Sequence, residues 1–239
     1  MTPHDPMTLD SRLARVRARI AAAEAAAGRP AGSVRLLLAT KTQDAAAVRA
    51  ALQADAAASA TTAGTAHRVL LGENRVQELV AKAPELTDLA PELHLIGPLQ
   101  SNKINAALRW ATCVQSVDTL ELAERLDRRC AAIDRTLDVM VQVNVSGEPT
   151  KSGVAPEDAV ELARAVRALD RLRLTGMMTI GANSPDDALV RSGFARLRSL
   201  AEELGTVELS MGMSRDLEAA VAEGATIVRV GTAVFGARA

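Results

Sequence analysis

The chain has 239 residues, 48% of them apolar, which is material for one large α/β domain or two small ones. Its 28 basic and 29 acidic residues leave a net charge of −1, and no basic run is interleaved with aromatics, so nucleic acid is excluded as an expected partner. Cys113 and Cys130 lack C-x-x-C spacing, and His4, His67 and His94 are scattered, so neither a disulfide framework nor a metal site is expected.

Taken in chain order, Arg12, Arg15, Arg17 and Arg19 alternate with apolar residues over 10–27 and predict an amphipathic helix ending at Gly28, not a signal peptide. No apolar run reaches transmembrane length, so a cytoplasmic protein without a membrane partner is expected. The first strand, 34–40 in "RLLLATKTQDAA", runs without a break into Lys41. Further apolar β-type runs fall at 69–71, 93–96, 114–117, 137–145, 172–178, 207–209 and 227–230, as in parallel strands buried on both faces.

Helix starts lie between them. Asp118-Thr119-Leu120-Glu121 reads as a capping box before a helix to about Ala132. Pro156 precedes a helix over 157–169, and Ser184-Pro185-Asp186-Asp187 offers an N-cap, a proline at the first helical position and acid in the first turn. Eight strands with intervening helices predict a single (β/α)₈ TIM barrel with an extra N-terminal helix; a doubly wound open sheet is the competing fold. Residues 1–239 are read as one domain, with 1–9 disordered and the low-complexity stretch 54–68 a flexible surface insertion.

In a barrel, functional groups sit where strands end. Strand seven runs into Ser210-Met211-Gly212-Met213-Ser214 and strand eight into Arg229-Val230-Gly231-Thr232. Small residues at such turns let backbone N–H groups converge, and with hydroxyls and an arginine they suit a phosphate ester. The same glycines also serve a tight βα turn. A lysine beside such a site, Lys41 on strand one, is a candidate amine for a Schiff base with a phosphorylated aldehyde. Pyridoxal 5′-phosphate is one such ligand, and a sugar phosphate handled by an aldolase is another.

The stretches "ATKT", "LGENRVQEL", "LHLIGPLQSNK", "VMVQVNVSGEPTKSG", "LTGMMTIGA" and "LSMGMSRDLEAAVAEGATIVRVGTAVFGAR" together closely resemble the pyridoxal phosphate homeostasis protein family (YggS/PROSC-like), barrels similar to the N-terminal domain of alanine racemase. The resemblance runs from about residue 10 to the C-terminus. It implies that Lys41 holds pyridoxal 5′-phosphate as a Schiff base and that Ser210, Gly212, Gly231 and Thr232 bind the phosphate, with Met211 and Met213 lining that loop. Arg229 matches the arginine that faces the pyridine nitrogen. Asn74 and His94 match pocket positions, with a satisfied core histidine as the other reading of His94. Arg75 stands where many relatives carry a tyrosine. Lys151 and Lys103 each fit either an anion contact or a solvated loop lysine.

Two classes of function stay open on these residues. Two-base racemisation needs an acid/base group opposite the lysine, which racemases take from a tyrosine of a further β-domain. This sequence has no tyrosine and continues only three residues past Gly236. The expectation is a cofactor-binding homeostasis protein, not a dedicated enzyme. It would buffer the cofactor or deliver it to apo forms of dependent enzymes, as a monomer or weak dimer. An amino-acid racemase with another second base is the alternative.

Overall fold

All eight strands run parallel to their neighbours, and the last closes on the first. The computed structural model describes residues 7–61 and 68–236. In order around the barrel stand β1 (Arg35–Ala39), β2 (Leu70–Glu73), β3 (Leu93–Leu95), β4 (Cys113–Val117), β5 (Leu137–Gln142), β6 (Leu172–Met178), β7 (Glu208–Ser210) and β8 (Ile227–Val230). Closure is made by β1 against β8, with Leu37 opposite Arg229 and Leu38 opposite Val230. A doubly wound sheet leaves two open edges, so the competing fold is ruled out.

Helices α1 (Leu9–Ala26), α2 (Ala45–Thr61), α3 (Val76–Lys82), α4 (Ile104–Ala107) and α5 (Leu120–Ala132) pack outside. They are followed by α6 (Ala159–Arg167), α7 (Asp187–Leu204), α8 (Leu217–Ala222) and α9 (Thr232–Phe235). Side-chain alternation makes two cores from one leucine run. Leu36 and Leu38 face the helices, whereas Leu37 points inward to join Leu70, Cys113, Met140, Met178 and Ile227. In a chain almost without aromatics, these medium-sized side chains plug the barrel, each worth about 1.5–3 kcal/mol when fully buried.

Several boundaries move for identifiable reasons. Strand five ends at Gln142 and not at 145: beyond it the chain folds back, Asn144 N–H donating to Val154 O and Val154 N–H to Gln142 O. Helix α7 begins two residues later than expected, because Asp186 and not Ser184 is the cap, accepting from the N–H groups of Ala188 and Leu189. Helix α6 likewise begins at Ala159, short of the expected 157. Thr8 caps α1 by accepting from Ser11 N–H, so residues 8 and 9 belong to the fold.

Residues 54–61 are a correction of the same kind. An alanine-rich run reads as low complexity, but alanine is the best helix former, and the run continues α2. Asp55 within it is buried, accepts from Val69 N–H at 3.0 Å and pairs with Arg17 of α1. The remainder of the expected insertion, 62–67, and residues 1–6 lie outside the described residues.

Candidate functional site

A cavity of about 1110 Å³ opens at the C-terminal ends of the strands. Lys41 enters it from the turn after β1, exposed to the cavity and without an ion pair among the described residues. Lys151 is on the same wall but committed, its Nζ 2.6 Å from Glu148 Oε1 and 2.8 Å from Gly181 O. Lys103 borders a separate shallow groove between α3 and α4. The geometry thus separates the three lysines: one free amine in the cavity, one tied and one elsewhere.

On the strand neighbouring β1 stands Arg229, buried near the end of β8 and touching the cavity. Its Nη2 donates to Thr179 O at 2.6 Å, and its Nη1 donates to Ser210 Oγ at 2.9 Å. Burial lowers its pKa to about 10, with Asp216 opposing the shift, so the guanidinium stays charged near neutrality. Gly231 and Thr232 follow on the same wall and open α9; Val234 and Phe235 N–H donate to Gly231 O, which leaves the N–H groups of Thr232 and Ala233 without an acceptor in the helix. Gly231 is required by close approach: a Cβ there would stand 2.9 Å from Ala39 O.

The strand-seven loop adds Met213, Ser214 and Arg215 to the wall. The carboxylates beside them are engaged. Asp216 accepts from Met213 N–H at 2.6 Å, and Glu218 takes both donors of Arg19 at 2.8 Å. That leaves Lys41, Arg215 and Arg229 as cationic groups facing the cavity. Asn74 also lines it, its backbone covered by Gly97, where a Cβ would fall 2.2 Å from Asn74 O.

Six of the expected residues therefore meet at the cavity: Lys41, Asn74, Met213, Arg229, Gly231 and Thr232. The other four, His94, Ser210, Met211 and Gly212, are buried off its wall. Two of them support it from below. Ser210 passes the Arg229 bond on, donating to Gln115 Oε1 at 2.7 Å, and Gln115 Nε2 stands 2.7 Å from His94 Nδ1. An amide donor at Nδ1 requires an unprotonated nitrogen, and burial lowers the His94 pKa to about 4, so the imidazole is neutral. Gln115 was missed by sequence reasoning, although a glutamine inside "CVQSV", a strand buried along its whole length, marks a polar group needing an internal partner. Ser214 was also passed over for the first serine of "SMGMS". Arg75 is exposed and off the cavity wall.

Among the described residues no group of three His, Cys, Asp or Glu is placed to hold a metal, and no helix is long and apolar enough to cross a membrane.

The closed barrel with a lysine after β1 and a buried arginine on β8 defines a racemase-type cofactor barrel, and the alanine racemase N-terminal domain family matches residues 12–239. Within it the chain is 48% identical over 233 residues to the pyridoxal phosphate homeostasis protein of Pseudomonas aeruginosa, covering 97% of this chain and 96% of that one. The chain belongs to the pyridoxal phosphate homeostasis protein family. Among solved structures, a protein of Bifidobacterium adolescentis superposes with a TM-score of 0.85 at 41% identity, over 95% of this chain and 94% of that one. PipY of Synechococcus elongatus, solved with pyridoxal phosphate bound, superposes with a TM-score of 0.79 at 36% identity, over 96% of this chain and 100% of that one.

Proposed function

We propose that this protein binds pyridoxal 5′-phosphate reversibly through Lys41 and serves its homeostasis in the cytoplasm, buffering the free aldehyde and delivering it to apo forms of dependent enzymes. The observation that carries the reading is the placement of one uncommitted amine, Lys41, in the same cavity as a buried, charged Arg229 and the Gly231–Thr232 turn. The bound-cofactor structure of PipY supports the ligand class. The donor set fits the group. An amine suits the aldehyde, the hydroxyls of Ser214 and Thr232 with the N–H groups opening α9 suit the phosphate, and Arg229 suits the ring nitrogen.

When bound, the cofactor supplies an aldehyde that condenses with an amine, forming a C=N bond and releasing water. Arg229 limits any chemistry beyond that condensation. A charged guanidinium fixed by Ser210 and Thr179 has no lone pair to accept a ring proton and no negative charge to stabilise one, so the ring stays a weak electron sink. Lys151, the other amine on the wall, is held by Glu148 and Gly181 O and is not poised as a second base. Holding the cofactor without a dedicated catalytic activity is consistent with both features.

The test is absorbance and covalent trapping. The purified protein loaded with pyridoxal 5′-phosphate is expected to be yellow, and borohydride to fix the cofactor mass on Lys41. Lys41→Ala is expected to lose the band while retaining weaker binding through the phosphate. Trapping on Lys151, or a colourless protein, overturns the assignment. Useful turnover of any member of an L-amino-acid panel moves the protein to the enzyme class.

A further inference from the structure

We propose that Lys82 and Glu78 are positioning residues for Lys41, fixing the backbone on both sides of it and so setting where its amine stands in the cavity. The inference rests on the assignment of Lys41 as the aldehyde-binding amine. Lys41 lies between Thr40, the buried residue that follows the first strand, and Thr42, which lines the cavity in the turn beyond it. Both neighbours are held by one charged cluster on β2 and α3. Thr40 Oγ1 donates to Glu73 Oε1, Thr40 O accepts from Lys82 Nζ at 2.8 Å, and Lys82 Nζ stands 2.6 Å from Glu73 Oε1. Lys82 also reaches Glu78 Oε2 at 3.5 Å, and that same oxygen accepts from Thr42 N–H at 2.9 Å. The cluster therefore bridges residues 40 and 42 and leaves the lysine between them directed into the cavity.

A stability role alone does not account for this arrangement. Lys82 and Glu73 are both buried, and such pairs are commonly replaced by apolar side chains with no loss of stability. Glu73 Oε2 is buried with no hydrogen-bond partner among the described residues, and burial pushes its carboxyl up against the pull of Lys82 and Thr40. Thr42 has φ 69°, a left-handed conformation that a β-branched residue adopts only where its surroundings impose it. The Glu78 bond to its N–H, together with the turn bond from Gln43 N–H to Thr40 O at 3.0 Å, holds the chain in this conformation. Strain beside a reactive group, held by an ion cluster, is the pattern of pre-organisation.

The test compares two ligands on the full chain. Pyridoxal 5′-phosphate can condense with Lys41; pyridoxine 5′-phosphate, with an alcohol in place of the aldehyde, cannot. The ratio of their dissociation constants reads the amine separately from the phosphate anchor. Lys82→Met and Glu78→Ala are expected to lower the aldehyde preference by about tenfold, with the alcohol bound within about twofold of wild type. Glu78→Gln keeps an oxygen acceptor for Thr42 N–H and is expected to restore the preference. Glu78 is only half-buried, so its pair of variants decides the matter if Lys82→Met does not fold. Equal weakening of both ligands, or an unchanged preference in Glu78→Ala, overturns the proposal. A wild-type protein with no aldehyde preference sinks the Lys41 assignment and the inference with it.

Discussion

Arg229 reaches the cavity braced against Ser210, whose Oγ accepts from Arg229 Nη1 at 2.9 Å. Because Ser210 also donates to Gln115 Oε1, Ser210→Ala strands two buried polar groups at once. Stability is expected to fall by about 1–3 kcal/mol, read as a shift in the denaturant midpoint. Affinity for pyridoxine 5′-phosphate is expected to change by no more than about threefold, whereas Ser214→Ala, on the cavity wall, is expected to cost about tenfold. The reverse ranking would return Ser210 to the phosphate site.

His94 ends the same chain of bonds and predicts an acid limb in the stability profile. Its pKa is about 4 in the folded protein and about 6.5 unfolded. Between those values the unfolded chain binds the extra proton, so stability is complete above about pH 6.5 and declines as the pH falls toward 4. The decline amounts to about 3 kcal/mol. Urea midpoints of wild type and His94→Gln, compared at pH 7 and pH 4.5, isolate this contribution, because the other titrating groups are shared. A gap between the two proteins that does not change with pH removes His94 as the cause.

The barrel was legible in the sequence because its signal is periodic: eight apolar runs, each ending in glycine, proline or a polar turn. Lys41 was legible because a lysine directly after a leucine strand breaks the burial pattern. What could not be read was which side of a turn a polar group faces. Ser210 and Ser214 are four residues apart in one motif, yet one is the last residue of β7 pointing into the barrel and the other lies on the rim. That difference is fixed by the positive φ of Gly212, 88°, which turns the chain between them. The cluster of Glu73, Glu78 and Lys82 was hidden for another reason. Two of its members look like an ordinary i,i+4 surface pair on α3, and only β2 beside them shows that the lysine is buried.

Gly231 tests how closely β8 must approach β1. A methyl at this position meets Ala39 O at 2.9 Å and Ala39 Cβ at 3.4 Å, and a backbone carbonyl has little room to yield. Gly231→Ala is expected to destabilise by about 1–3 kcal/mol and to lower cofactor affinity by more than about tenfold, since the displaced segment opens α9. Thermal melts with and without pyridoxal 5′-phosphate read both effects. A variant that keeps the full ligand-induced rise in melting temperature shows that the N–H groups opening α9 are not phosphate donors.

Helix α1 braces both loops from outside, and Arg19 is where the brace becomes electrostatic. Arg12 Nε donates to Val234 O at 2.7 Å, while Arg19 donates to Ser214 O at 3.1 Å and to both oxygens of Glu218. Its hydrogen bonds hold the Glu218 carboxyl below the usual carboxylate range, so the acid on the cavity wall is ionised but neutralised. Arg19→Ala leaves that charge facing the phosphate. Affinity is expected to fall by roughly threefold to tenfold at low salt, with the loss shrinking as salt screens the repulsion. Adding Glu218→Gln removes the charge and is expected to recover most of the affinity. Titrations of the two single variants and the double variant at two ionic strengths check this: recovery identifies repulsion, and a loss that persists in the double variant assigns Arg19 to holding the Ser214 loop in place.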